Sequence, residues 1–103
     1  MKTEKMEYLK EVVLGCIGED YDNRKTSREI MNSTGLNFRE LKEVIVELRK
    51  EYPICSTEIN GGGYWMAKTS FEVLEFVEMI KRRRDGYNRT IDVMNDHAFE
   101  ISR

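Results

Sequence analysis

Residues 26–67 read TSREIMNSTGLNFRELKEVIVELRKEYPICSTEINGGGYWMA, and this stretch decides the fold. Ser27 is an N-cap residue whose hydroxyl can accept a free amide of a first helical turn, so a short helix is predicted over 27–32. The turn Ser33-Thr34-Gly35-Leu36 follows, with Gly35 placed where a positive φ carries no steric cost. Asn37 and Glu40 have capping-box spacing and open a helix over 38–51. Phe38, Leu41, Ile45 and Leu48, reinforced by Val44, form its apolar stripe. The other face presents Arg39, Lys42, Glu43, Val46, Arg49 and Lys50. Pro53 ends the helix and extends Tyr52.

Outward from there, Ile54–Thr57 and Tyr64–Ala67 are strand-like and flank Gly61-Gly62-Gly63, which predicts a hairpin with a flexible tip. Arg24-Lys25-Thr26 could add a short strand beside it. Upstream, Met6, Leu9, Val13 and Cys16 recur at helical spacing and predict a first helix over 3–15. Downstream, Thr69 and Glu72 form another capping-box pair. Then Val73, Val77, Ile80, Arg84, Tyr87, Ile91, Met94, Ala98 and Ile101 alternate steps of four and three, a heptad seam interrupted at Arg84 beside Gly86. Two structures fit the seam: one helix of about 30 residues, roughly 45 Å long, or two helices hinged at Asp85-Gly86, with residues 87–101 folded back. The expected fold class is mostly α with a small β-hairpin (α+β), divided into residues 1–70 and a helical segment over 70–103.

At 103 residues the chain is long enough for one modest core, and its 40% hydrophobic content is too high for a disordered chain. Its apolar runs are too short for a signal peptide or membrane span, so a cytoplasmic location is expected. Net charge is −2, but it is unevenly placed. Residues 24–50 hold seven basic and four acidic side chains, net +3, inside an otherwise acidic chain. A local positive surface of this kind suits phosphate. Cys16 and Cys55 lack metal spacing and read as buried thiols. His97 stands alone, and no phosphate-cradling lysine follows the glycine run. No catalytic constellation is present, so no enzyme activity, cofactor or metal is expected.

The order helix, turn, helix, hairpin over 26–67 resembles the winged-helix family of DNA-binding domains. The join of strand and capped helix over 63–72 is, more loosely, similar to small winged-helix proteins of phages, prophages and plasmids of Gram-positive bacteria. The resemblance implies a binder of double-stranded DNA, a transcriptional regulator or replication-associated protein of a mobile element. It implies that helix 38–51 enters the major groove and that the wing, residues 58–64, follows the backbone. Asn37 and Arg39 would then lie nearest base edges, where Asn suits adenine and Arg suits guanine. Lys42 would meet phosphate or guanine, and Val46 a thymine methyl. Lys25 and Arg28 would contact phosphates. Arg49, Lys68 and the wing residues Asn60, Gly61, Gly62, Gly63 and Tyr64 complete the expected interface. Of Tyr64 and Trp65, which face opposite sides of a strand, Trp65 is expected in the core.

The seam residues Val77, Ile80, Tyr87, Ile91, Met94, Ala98 and Ile101 are expected to form a homodimer contact. The competing expectation is a winged-helix module that binds another protein in replication or transcription. It rests on the acidic balance outside 24–50, on Glu40, Glu43 and Glu47 along the third helix, and on a wing without lysine or arginine.

Overall fold

The computed structural model describes residues 3–102. Four helices and one two-stranded sheet follow in the order α1 (Thr3–Cys16), α2 (Ser27–Thr34), α3 (Phe38–Arg49), β1 (Ile54–Thr57), β2 (Gly63–Met66) and α4 (Ser70–Ile101). A single 3₁₀ turn, Tyr21–Asn23, lies between α1 and α2. The chain divides between Val73 and Leu74 into two compact units.

In the first unit α1 packs on α3, and α2 packs on both. The core joins Leu9, Val13 and Ile17 to Ile30 of α2, the α3 stripe and Ile54 of β1. Leu41, Val44, Ile45 and Leu48 are each at most 2% exposed, so α3 is the element with the most fully buried side chains. Phe38, expected in that stripe, is instead half exposed at its rim. Its position, close to a quarter turn off the stripe centre at roughly 100° per residue, keeps it from the core.

Local chemistry sets the helix ends. Thr26, not Ser27, caps α2: its hydroxyl accepts from the Glu29 amide, and the Glu29 carboxylate accepts from the Thr26 amide. Gly35 closes α2 at φ 77°. Asn37 and Glu40 form the expected reciprocal pair at the start of α3. The same logic recurs before α4, where Glu72 accepts from the amides of Lys68 and Thr69.

The strands pair antiparallel, with Cys55 opposite Trp65 and Ser56 opposite Tyr64. Trp65 is the buried member of the Tyr64–Trp65 pair. The segment expected as a third strand contributes one bridge, in which Lys25 and Tyr64 exchange backbone hydrogen bonds of 3.0 and 2.8 Å. The capping demand of α2 begins at Thr26 and leaves no residues to extend that bridge.

Helix α4 runs unbroken through Asp85-Gly86 for 32 residues, about 48 Å. The fold-back alternative is therefore not adopted. None of its side chains is buried. Its first turn is tied to β1 by the Cys55 thiol, which points at the Glu72 carbonyl at 3.8 Å. Burial raises the pKa of that thiol. No helix among the described residues is long and apolar enough to cross a membrane.

The capping carboxylates make stability pH-dependent. Backbone amides hold Glu72 below its ordinary value through Lys68 and Thr69, Glu29 through Thr26, and Asp20 through Asn23. Their folded pKa values lie below the unfolded ones. Their stabilisation is present above the unfolded values and is lost as pH falls through the folded ones. Urea unfolding midpoints should hold steady from pH 7 to about pH 5 and drop below about pH 4. Glu72→Gln, which cannot ionise, should flatten part of that drop. An unchanged acid profile in that variant would contradict the capping account.

Candidate functional site

Because α3 buries one stripe, its opposite face is fixed by the helical repeat. Arg39, Val46 and Lys50 form the crest of that face, at roughly 100° per residue. The two flanks differ in charge. Glu43, Val46 and Glu47 line a groove with Thr3, Met6 and Glu7 of α1. Lys42 and Arg49 lie on the other flank, towards the hairpin. Arg49 donates through Nε to the Ile54 carbonyl at 2.9 Å and through Nη2 to Ser56 Oγ at 3.1 Å. Acid thus collects on the α1 side and base on the hairpin side.

The remaining cations of α3 are accessible. The Arg39 side chain is 88% exposed and meets Glu43 at 3.5 Å across one turn. Such exposed pairs are worth well under about 1 kcal/mol, so Arg39 is readily released to a stronger partner. Lys42 lies over the Phe38 ring, 5.0 Å from its centroid. Phe38 at the rim therefore supports a cation. Asn37 spends its side-chain oxygen on the Glu40 amide. Its amide nitrogen is the part that remains to donate outward.

The hairpin tip is more ordered than its glycines suggest. Asn60, Gly61, Gly62 and Gly63 all have positive φ, at 51°, 89°, 76° and 140°. Arg24 braces this turn from beneath. Its Nε donates to the Gly62 carbonyl at 3.1 Å, and its Nη2 to the Asn60 carbonyl at 2.9 Å. Nη1 donates back to the Tyr21 carbonyl at 2.9 Å, and the guanidinium lies 4.2 Å from the Tyr21 ring centroid. Tyr21 in turn meets Trp65 edge-on at 5.1 Å. Gly63 is required twice over, by its φ and because a Cβ there would fall 2.8 Å from Arg24 Cγ.

Arg24 is the residue that the sequence reading misses as part of the site. It acts on carbonyls 36 and 38 positions away, and no local pattern announces such a contact. It also brings a positive charge to a tip that carries none of its own. Of the other expected contact residues, Lys25 and Arg28 are exposed near the α2 N-terminus. Lys68 pairs with Asp20 at 3.5 Å, and Tyr64 is half-buried. Asn37 caps α3, and Arg39 and Lys42 follow in its first two turns, each with a different neighbour. Arg49 is turned inward to the strand.

Among the described residues no group of His, Cys, Asp and Glu could hold a metal. Both cysteines are free, Cys55 in the core and Cys16 partly covered. Comparison with family models, curated proteins and solved structures returns no match.

Replacing Arg24 by methionine keeps the stem and removes three donors to carbonyl oxygen. Charged hydrogen bonds of this kind put the loss at about 2 kcal/mol. Amide exchange at Gly61–Gly63 should quicken more than in the α3 core. Lysine should not restore it, because an ammonium lacks the guanidinium fork. Unchanged exchange at the tip in the methionine variant would remove Arg24 from this role.

Proposed function

We propose that the protein is a winged-helix DNA-binding protein that acts as a homodimer, of the regulator type found in mobile genetic elements. One observation carries this reading. Lys42 shares its flank of α3 with Arg49, which is hydrogen-bonded to β1 of the hairpin, Arg39 is exposed on the adjoining crest, and the hairpin tip is braced by Arg24. A helix with donors on its exposed face beside a stiff, glycine-tipped wing suits a major groove and its neighbouring backbone.

In this reading Arg39 is the principal base reader, with a bidentate contact to guanine. Val46 contributes apolar contact, and Lys42 reaches either base or phosphate. Lys25, Arg28 and the wing Asn60–Tyr64 position the duplex through phosphates. Lys68 adds a further charge if the duplex draws it from Asp20. Arg49 serves the interface indirectly by fixing α3 to β1. The seam on α4 joins two copies, so the bound site is two-fold symmetric. A cytoplasmic location belongs to the same proposal.

A second reading has its own observation. The groove between α1 and α3 sets Met6 and Val46 among Glu7, Glu43 and Glu47. An apolar floor with an acidic rim suits a basic segment of another protein rather than phosphate. In that case the chain is a protein-interaction module of replication or transcription.

DNA titrations at two salt concentrations separate the readings. The parent should bind duplex DNA with an affinity that falls steeply with salt. Lys25→Ala and Arg28→Ala should weaken all sequences alike and lower the salt slope by about one each. Arg39→Ala should cost about 1–3 kcal/mol on the preferred site and narrow its margin over other sites. Salt-insensitive binding that Arg39→Ala leaves unchanged would rule out α3 as the reading helix.

A further inference from the structure

The seam on α4 leaves orientation open, because two helices can pair along it parallel or antiparallel. We infer that a second copy pairs with it antiparallel, centred near Arg89, so that residue n lies beside residue 178 − n of the other copy. The inference rests on the dimeric reading above and adds its geometry.

The seam itself is accessible: Tyr87, Ile91 and Met94 are each more than half exposed. Arg84 occupies the core-facing position between Ile80 and Tyr87. In a parallel, in-register pair Arg84 faces Arg84 of the other copy, and two guanidinium groups meet at an apolar seam. Like charges there cost free energy that the flanking layers must offset. A parallel pair also sets Ala98 against Ala98 and leaves a gap.

The antiparallel pair resolves both problems. Arg84 lies beside Met94, whose flexible thioether accepts the aliphatic stem while the charged head reaches water. Ile80 fills the space beside Ala98, Tyr87 lies beside Ile91, and Val77 beside Ile101. Each layer then matches a large side chain with a smaller or adaptable one.

The charge pattern of α4 selects the same arrangement. Glu72, Glu75 and Glu78 are followed by Lys81-Arg82-Arg83-Arg84, then, past Asp85 and Arg89, by Asp92, Asp96 and Glu100. The order along the helix is acidic, basic, acidic. Parallel pairing stacks the two basic blocks side by side. Antiparallel pairing about residue 89 moves them about 20 Å apart along the axis, beyond the Debye length of about 8 Å. Each block then lies level with the Asp92–Glu100 segment of the other copy. A register one heptad shorter, centred between 85 and 86, leaves the blocks only about 9 Å apart, roughly one screening length, where repulsion is weakened but not removed. A register one heptad longer gives up the layers at Val77 and Ile80. Only the pairing about residue 89 both separates the bases and uses the seam from Val77 to Ile101.

Spin labels test the orientation without DNA. Glu75 and Arg89 lie two heptads apart, on the outward side of α4. Single labels go at Glu75→Cys or Arg89→Cys in a full chain carrying Cys16→Ser and Cys55→Ala, with sedimentation run beside. Antiparallel pairing predicts a dimer in which the 89–89 distance spans only the width of the pair. The 75–75 distance should include a further axial offset of about 42 Å. Equal distances at the two positions mean parallel pairing and overturn the inference, as does a monomer or a higher oligomer. Should the two replacements disturb folding, Asn88→Cys and Met94→Cys in the otherwise native chain give a second readout. A short thiol cross-linker should join 88 to 88 and spare 94, and the reverse preference overturns the inference. DNA binding is measured separately, so failure here leaves the duplex-binding reading to its own test.

Discussion

Helix α3 can bury only one of its faces, and that constraint organises the molecule. Leu41, Val44, Ile45 and Leu48 are close to fully excluded from water, and each contributes on the order of 1.5–3 kcal/mol by burial. Rotating the helix to hide any other face would expose that stripe and bury charges without partners. The outward face is therefore a consequence of packing, and so is its charge division. Residues three and four apart share a flank, which sends Glu43 and Glu47 to the α1 groove and Lys42 with Arg49 to the hairpin side. Arg49 then locks α3 to β1 and fixes where the hairpin begins.

The same packing explains what the sequence made legible. The stripe at Leu41, Ile45 and Leu48, the Asn37–Glu40 cap and the α4 cap at Thr69–Glu72 are all short-range patterns, and each is found where it was read. Errors arise where two local signals compete. Thr26 and Ser27 are both good caps, and Glu29 completes a reciprocal pair only with Thr26. At Gly86 the sequence leaves a hinge and a continuous helix both open, and the continuous helix is found, because one glycine costs an α-helix only about 1 kcal/mol, too little to divide 32 residues. Phe38 fits an apolar pattern but lies at the rim, where it carries Lys42 instead of core.

Long-range contacts stay hidden for a different reason. Arg24 reads as an ordinary loop cation, and Gly61–Gly63 as a slack tip. Only the fold brings them together, and the tip becomes a braced turn with a guanidinium beneath it. The charge that the hairpin lacks in sequence is thus supplied from outside it. The α4 seam is the opposite case. Its heptads are plain in the sequence, and its side chains remain accessible in the single chain, which holds nothing to cover them among the described residues.

The central claim is that α3 reads duplex DNA through a two-fold arrangement of this chain. Selection of bound duplexes from a random pool by this chain tests it most directly. The account predicts enrichment of an inverted repeat, with a guanine at the position that Arg39→Ala makes indifferent. Recovery of an unenriched pool at low salt, with the protein folded and dimeric, would contradict it.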